Sequence, residues 1–509
     1  MRITNQMISG NSLRNMQKSM NEVNRRTTQM TTGKKITQAS EDPVVAIRAL
    51  KLRTTVNQLQ QYKEKNIPDA NSWFDITTTS LDNITKRLTD ITTYCVQGST
   101  DSFNSTNRSA IIDSLNELKD MIYAEGNSTY AGRYIFSGYK TDRALAFTET
   151  EDTSVYSYDI TQHFDATSFD TKNVILNNLN YSEIDKSIKN PAVYRQPNPE
   201  TVYRLNLAYE GIDDINNAGD GVFSLVAKDA NGNDIDISKY KITIKGTDDA
   251  STYYSVGKNN INVIKETGEI ILGENAYNAL KQAADVQVTY AKKQFEPGDL
   301  RPEHYFDCKQ YTVQSDGRVK TIEYTKPESG QPIYYEVNFN QSIQVNTEGN
   351  KIISAETTNN VNDLIYSLKA MEDAEKVQAR LKELLTDTQY VGNKDAVSQI
   401  NKMIQDMDVE IAVRKENLQK TFSKNISVFQ EYSSNISQMQ SDVGSRMSKL
   451  EMIDTRVKEQ FASFKELKSQ NEDVETDEAI IDFNEAGLVY QSALAATSKI
   501  MDKTLLDYI

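Results

Sequence analysis

The chain has 509 residues, 57 Lys and Arg against 72 Asp and Glu, and a net charge of −15. That length accommodates two to four domains with cores of their own, and the acidity argues against nucleic acid as a general partner, because phosphate binding needs a positive field. No run approaches the roughly twenty apolar residues of a membrane span, and Met1 to Met7 contain no apolar h-region, so an ordinary secretory signal peptide is not expected.

The charge is unevenly spread. Residues 1–53 hold ten Lys/Arg against Glu22, Glu41 and Asp42, whereas residues 471–509 hold Lys499 and Lys503 against nine Asp/Glu. Both stretches carry an apolar stripe at helical spacing. Two amphipathic ends of opposite charge are expected to fold back and zip together. Such a chain suits assembly better than catalysis.

In chain order, Leu13, Met16, Met20, Val23, Thr27 and Met30 step by three and four, as in a coiled-coil seam, and Gly33 with Lys34 and Lys35 ends that helix. Ser40 is the expected N-cap of the next helix, with Pro43 near its first position and Pro68 a kink or break further on. Trp73, Ile76, Leu81, Ile84, Leu88, Ile91 and Cys95 predict a helix to about Gly98, and Ile111, Leu115, Leu118 and Ile122 a short one after it. Seven of nine prolines lie in 191–332 and twelve of twenty-one glycines in 211–349, which predicts a strand-rich insert between two helical arms. Within it, Asn231-Gly232, Thr267-Gly268 and Asp316-Gly317 read as hairpin turns, and Ala276 to Ala284 as one short helix. Beyond Leu364, Leu368, Met371 and Ala374, the region 394–470 forms a long helical stripe, about 115 Å if unbroken. Residues 471–478 are an acidic joint, and Ile480, Phe483, Tyr490, Leu494, Met501, Leu505 and Tyr508 make the last stripe.

The fold class is therefore mainly α terminal arms, a coiled-coil-like bundle of N- and C-terminal segments, around a central β-rich inserted domain. The expected division is 1–40 with 479–509 as a terminal coiled-coil segment, 41–149 with 356–478 as a helical rod, and 150–355 as a variable outer domain.

Motifs for chemistry are missing. Neither His163 nor His304 begins an HExxH helix, and there is no GxGxxG, P-loop or GxSxG. The turn Asp229 to Asp234 fails the calcium-loop pattern, with Asp234 where Gly is required and Tyr240 where Glu is required. Cys95 and Cys308 lie in regions of different character, so no disulfide is expected, and His304 beside Cys308 is half a metal site at best. No catalysis, metal or cofactor is expected.

The run Met1-Arg-Ile-Thr-Asn5, then Thr32-Gly33-Lys34-Lys35-Ile36 and Ala39-Ser40-Glu41-Asp42-Pro43, resembles the start of the flagellin superfamily, and more closely its hook–filament junction branch. Gly126 to Gly138, closing at Phe147, resembles the end of that family's N-terminal region, and Tyr490 to Ala496 leading to Tyr508 is similar to its C-terminal helix. Glu41 stands where the family typically has Asp. The resemblance covers roughly 1–147 and 360–509. It implies a structural junction component of the bacterial flagellum, joining the hook, through another hook-associated protein, to the flagellin filament as a homo-oligomeric ring. It also implies export without a cleaved signal peptide through the flagellar type III apparatus to an extracellular location, with an export chaperone before secretion. No nucleic acid and no membrane insertion belong to this reading. The alternatives are a filament-forming flagellin or, less well supported, an enzyme or binding module in the insert. Terminal segments that become helical on assembly need a narrow apolar stripe and a partner to bury it. The expected interface is Ile3, Met7, Leu13, Met16, Met20, Val23 and Met30 with Ile480, Phe483, Tyr490, Leu494, Met501, Leu505 and Tyr508.

Overall fold

Apolar residues recurring every three to four positions, with proline scarce, give helices at both ends of the chain. The computed structural model describes residues 5–100, 105–213, 223–246, 250–314, 317–327 and 330–501. Helix α1 (Asn5–Thr32) stops at Gly33, whose φ of +67° is the left-handed cap that favours glycine and whose N–H donates to the Gln29 carbonyl at 2.8 Å. Helix α2 (Pro43–Gln61) is capped by Asp42 and not by Ser40: one Asp42 carboxylate oxygen accepts from the Val44 and Val45 N–H groups at 3.0 and 3.1 Å. Pro43 fixes the first turn, so the residue just before it is the one in capping position.

Pro68 does not break the helix. A π turn (Tyr62–Asn66) carries α2 into α3 (Ile67–Ser99), with Pro68 as the second residue of α3. Proline clashes with the carbonyl four residues back, here Glu64, and that carbonyl lies in the wider π turn. Trp73, Leu81, Ile84, Leu88, Ile91 and Cys95 are all buried as the spacing predicted. Helix α4 (Ser105–Gly126) packs on a later helix, Thr357–Leu384.

Short helices α5 (Ile184–Lys189), α6 (Ala250–Tyr253), α7 (Glu274–Leu280) and α8 (Pro302–Tyr305) punctuate the central strands. Then come α9 (Thr357–Leu384), the 79-residue α10 (Lys394–Glu472) and α11 (Thr476–Met501). Along α10, Phe422, Phe429, Ile436, Val443, Leu450 and Val457 are spaced by seven and all are buried, which is the signature of a coiled-coil seam.

The described residues form two compact units, one drawn from 1–71, 335–343 and 447–509, the other from 72–334 and 344–446. The first buries Val56, Leu59, Tyr62 and Ile67 with Leu450, Ile453 and Val457. A hairpin tip from the proline-rich sequence belongs with these helices: the Phe339 ring meets Tyr62 edge-on at 5.7 Å, and Asn66 donates to the Glu336 carbonyl at 2.8 Å.

Besides the two-stranded ribbon of Thr129–Tyr130 with Arg133–Tyr134, the second unit holds two larger sheets. One is antiparallel, in the order Val319–Tyr324, Asp307–Val313, Tyr156–Phe164, Asp285–Lys293, Ser224–Lys228, Asp234–Ile235, with Ile212–Asp213 also on Asp285–Lys293. The other runs Asp170–Leu176, Asn198–Asn206, Glu269–Leu272, Asn260–Ile264, Lys241–Lys245, its last pair parallel. Val286, Val288 and Tyr290 alternate into the same core as Ile261, Val263, Ile270 and Leu272, while Val174, Val202, Ile264 and Ile271 fill a separate cluster. Asn231-Gly232 and Thr267-Gly268 are hairpin turns, with Gly232 and Gly268 at φ of +81° and +66°. Asp316 lies outside the described residues, though the strands flanking it pair as a hairpin.

Candidate assembly interface

The two oppositely charged ends meet. Where α1 stops and α10 gives way to α11, Lys34 forms an antiparallel bridge with Asp473, Lys35 N–H donates to the Glu472 carbonyl at 2.7 Å, and Val474 N–H donates to the Gly33 carbonyl at 3.0 Å. Arg53 of α2 grips Glu472 with two parallel bonds of 2.7 Å, the planar fork geometry that strengthens an ion pair. Lys34 also pairs with Asp473. The Arg53 bond holds the Glu472 carboxyl below its ordinary range, and the Lys34 bond does the same for Asp473. The acidic joint is thus the docking point of the basic end.

Beyond that joint α1 and α11 pack side by side. They are antiparallel, because the C-terminal end of α1 adjoins the N-terminal end of α11, and Arg26 reaches Asp482 across the pair. What this pairing buries is small or polar: Gln29, Ala479 and Thr497. The larger apolar side chains stay open. Of the expected interface, Met7, Leu13, Met20, Met30, Ile480 and Leu494 are exposed, and Met16, Val23, Phe483 and Tyr490 are half-buried. Ile3, Leu505 and Tyr508 lie outside the described residues, as does the side chain of Met501 at the end of α11.

Three apolar positions off the expected stripe are open as well: Ile481 at 64 %, Leu488 at 66 % and Val489 at 52 %. The signal for them was in the sequence, since residues 476–501 carry large apolar side chains outside that stripe as well as on it, a pattern that belongs to helices covered on several sides. On α2, Val44, Ile47 and Leu50 form another exposed row three residues apart. A seam that hides a glutamine and leaves its leucines and isoleucines in water is an incomplete core.

The remaining candidates resolve into structure. Asp229 accepts from the Asn231 and Asn233 N–H groups at 2.8 and 2.9 Å, closing its hairpin turn. His304 lies 3.1 Å from the Ala144 carbonyl, and burial pushes its pKa down to about 4. Cys95 and Cys308 are buried free thiols; burial pushes Cys95 up to about 12. Among the described residues no group of three or more His, Cys, Asp or Glu is placed to hold a metal ion, and no helix is long and apolar enough to cross a membrane.

Helical ends that pair with each other around a strand-rich centre are matched in known families. Residues 3–141 match the bacterial flagellin N-terminal helical region, and residues 426–509 match the bacterial flagellin C-terminal helical region. Both ends of the chain are therefore similar to the helical terminal regions of bacterial flagellins. Among curated proteins it is similar to flagellar hook-associated protein 3 of Salmonella typhimurium, 29 % identical over 145 residues, which are 28 % of this chain and 45 % of that protein. It is also similar to flagellar hook-associated protein 3 of Escherichia coli, 28 % identical over 151 residues, and to a flagellin of Clostridium tyrobutyricum, 30 % identical over 127 residues, 25 % of this chain and 33 % of that one. The match spans less than half the length of these relatives. Among solved structures, a putative flagellar hook-associated protein from Vibrio parahaemolyticus covers 85 % of this chain and all of its own at 11 % identity and a TM-score of 0.37, and FlgL from Xanthomonas campestris covers 82 % and 99 % at 11 % identity and 0.30.

Proposed function

We propose that this chain is a structural, non-catalytic part of the bacterial flagellum, working at the junction of hook and filament. The observation that carries the reading is the α1–α11 pair, locked at Glu472 and Asp473 yet leaving its large apolar side chains uncovered. Such a surface needs other subunits. In this reading copies form a ring in the flagellar axis, with a neighbouring hook-associated protein on one side and flagellin on the other, after chaperone-assisted export to the extracellular flagellum. Residues 1–40 with 479–509 become ordered on joining the ring, 41–149 with 356–478 form the helical rod, and 150–355 stand outward. The relatives named flagellar hook-associated protein 3 support the junction role, and the match to a flagellin supports the second reading, a filament-forming subunit.

Met7, Leu13, Met16, Met20, Val23 and Met30, with Ile480, Phe483, Tyr490 and Leu494, are the proposed contact residues, together with Ile3, Met501, Leu505 and Tyr508 from the sequence reading. Each full burial contributes about 1.5–3 kcal/mol before ordering entropy is subtracted. Leu494→Asp puts a charge into that surface. Its export and the thermal unfolding of the central unit stay as in the parent, while its incorporation into flagella, measured by immunoblot of sheared filaments and hooks, falls to background. Normal incorporation of the variant contradicts the proposal.

A further inference from the structure

The second unit contains a cleft apart from the α1–α11 pair. Two cavities of about 640 and 380 Å³ adjoin, sharing Lys172, Tyr253, Tyr254, Asp363 and Tyr366. Each lies in the range of small-molecule sites. Their walls come from α9, α10 and the edge of the five-stranded sheet, elements that hold side chains more firmly than loops do.

The charges along the cleft are already spoken for. Lys172 binds Glu269 at 2.6 Å, and Arg204 binds Glu269 at 2.9 Å and Asp363 at 3.0 Å. Lys424 binds Asp170 at 2.5 Å, Arg414 binds Glu410 at 2.6 Å and Lys420 binds Glu416 at 2.6 Å. With every one of these cations held by a carboxylate, the cleft offers no surplus charge to a phosphate or a carboxylate ligand.

What it does offer is aromatic surface and unmatched hydrogen-bonding groups. The Tyr253 and Tyr254 rings lie 4.5 Å apart, and the Tyr254 hydroxyl is pinned, accepting from Lys172 and donating to Glu269, each at 3.0 Å. Tyr366 stands at the rim, 41 % exposed. Arg204 and Asn425 line the larger cavity at 5 % and 2 % exposure, yet Arg204 Nε and Asn425 Oδ1 have no protein partner; Asn206 Oδ1 in the smaller cavity has none either. One is a donor and two are acceptors, and each orphaned buried atom costs about 1–3 kcal/mol. These atoms are sealed from solvent in the unliganded chain; the Asn206 and Asn425 amides must turn to meet a ligand, whereas Arg204 stays held by Glu269 and Asp363. A hydroxyl suits both kinds because it donates and accepts. Tyrosine faces take apolar C–H surfaces.

We propose that this cleft binds a neutral saccharide of about disaccharide size. The site is for binding alone: Asp170, Glu269 and Asp363 are committed to cations, and Glu210 accepts from Asn362 and from Tyr366 itself. The test is saturation-transfer difference NMR on the full-length protein with maltose, cellobiose, lactose and N,N′-diacetylchitobiose in turn, repeated with Tyr366→Ala and with the acidic sugar glucuronic acid. The expected result is transfer to at least one neutral disaccharide, weakened about tenfold or more in Tyr366→Ala, with unchanged circular dichroism and no preference for glucuronic acid. Absence of transfer from all four disaccharides overturns the site. Binding untouched by Tyr366→Ala overturns its placement in this cleft, and tighter binding of glucuronic acid overturns the neutral class.

Discussion

Glu472 is where the two ends of the chain meet at atomic scale. It is almost fully buried, and both carboxylate oxygens face the Arg53 fork. Glu472→Gln keeps the shape but leaves Arg53 facing a neutral amide. Because half of the Arg53 side chain is in water, solvent screens the loss, and an effect of about 1–2 kcal/mol on unfolding of the full-length protein is expected in denaturant titration. The pH dependence has a definite sign. A carboxyl whose folded value is lowered contributes stability that is complete above its unfolded value and fades as pH falls through the folded one. The parent should therefore lose part of this stabilisation on going from about pH 5 down to about pH 3, and Glu472→Gln should lose less over the same range. Equal losses in the two proteins would contradict the assignment. Cys95 tests burial in a different way. With its thiol buried and pushed up to about 12, it should stay unmodified by a thiol-reactive disulfide reagent at mildly alkaline pH, as should buried Cys308, and both should react once the protein is unfolded in guanidinium. Rapid modification of the native protein would show that the α3 seam opens.

At the scale of elements, the α3–α10 packing depends on a missing side chain. A Cβ on Gly98 would come 2.2 Å from the Phe422 ring, itself fully buried, whereas a Cβ on Gly444 would meet nothing within 4 Å. Gly98→Ala should destabilise by about 1–3 kcal/mol in spite of the better helix former, and Gly444→Ala should stabilise by up to about 1 kcal/mol. Chemical denaturation of the two variants checks both; a stabilised Gly98→Ala would mean that the helices sit further apart. The same helices show how far the sequence could be read. The period of three to four located the buried faces of α3, α9 and α10, because a stripe of large apolar residues has one way to leave water. Positions that depend on backbone detail were not legible in that way. Asp42 outranks Ser40 as a cap because Pro43 sets the first turn, and the π turn before Pro68 answers a clash that composition cannot show. Strand turns were visible in Asn231-Gly232 and Thr267-Gly268. The parallel pairing of Lys241–Lys245 with Asn260–Ile264 was not, since parallel partners are chosen by tertiary packing and not by a local turn.

For the whole molecule, opposite charge at the two ends was the most informative signal, and the ion pairs of Lys34, Arg26 and Arg53 are its structural form. The expected interface was legible as a stripe, but not its extent. Ile481, Leu488 and Val489 leave the stripe, and their exposure has meaning only once α1 is seen to cover so little of α11. An incomplete two-helix core at the ends and complete cores in the centre describe a chain that is finished by its neighbours. The most direct test of that account is immunogold electron microscopy of intact flagella with antibody raised against residues 150–355. A junction component predicts gold confined to one short band where hook meets filament. Gold along the whole filament would make the chain a filament subunit instead, and flagella without gold would contradict the account altogether.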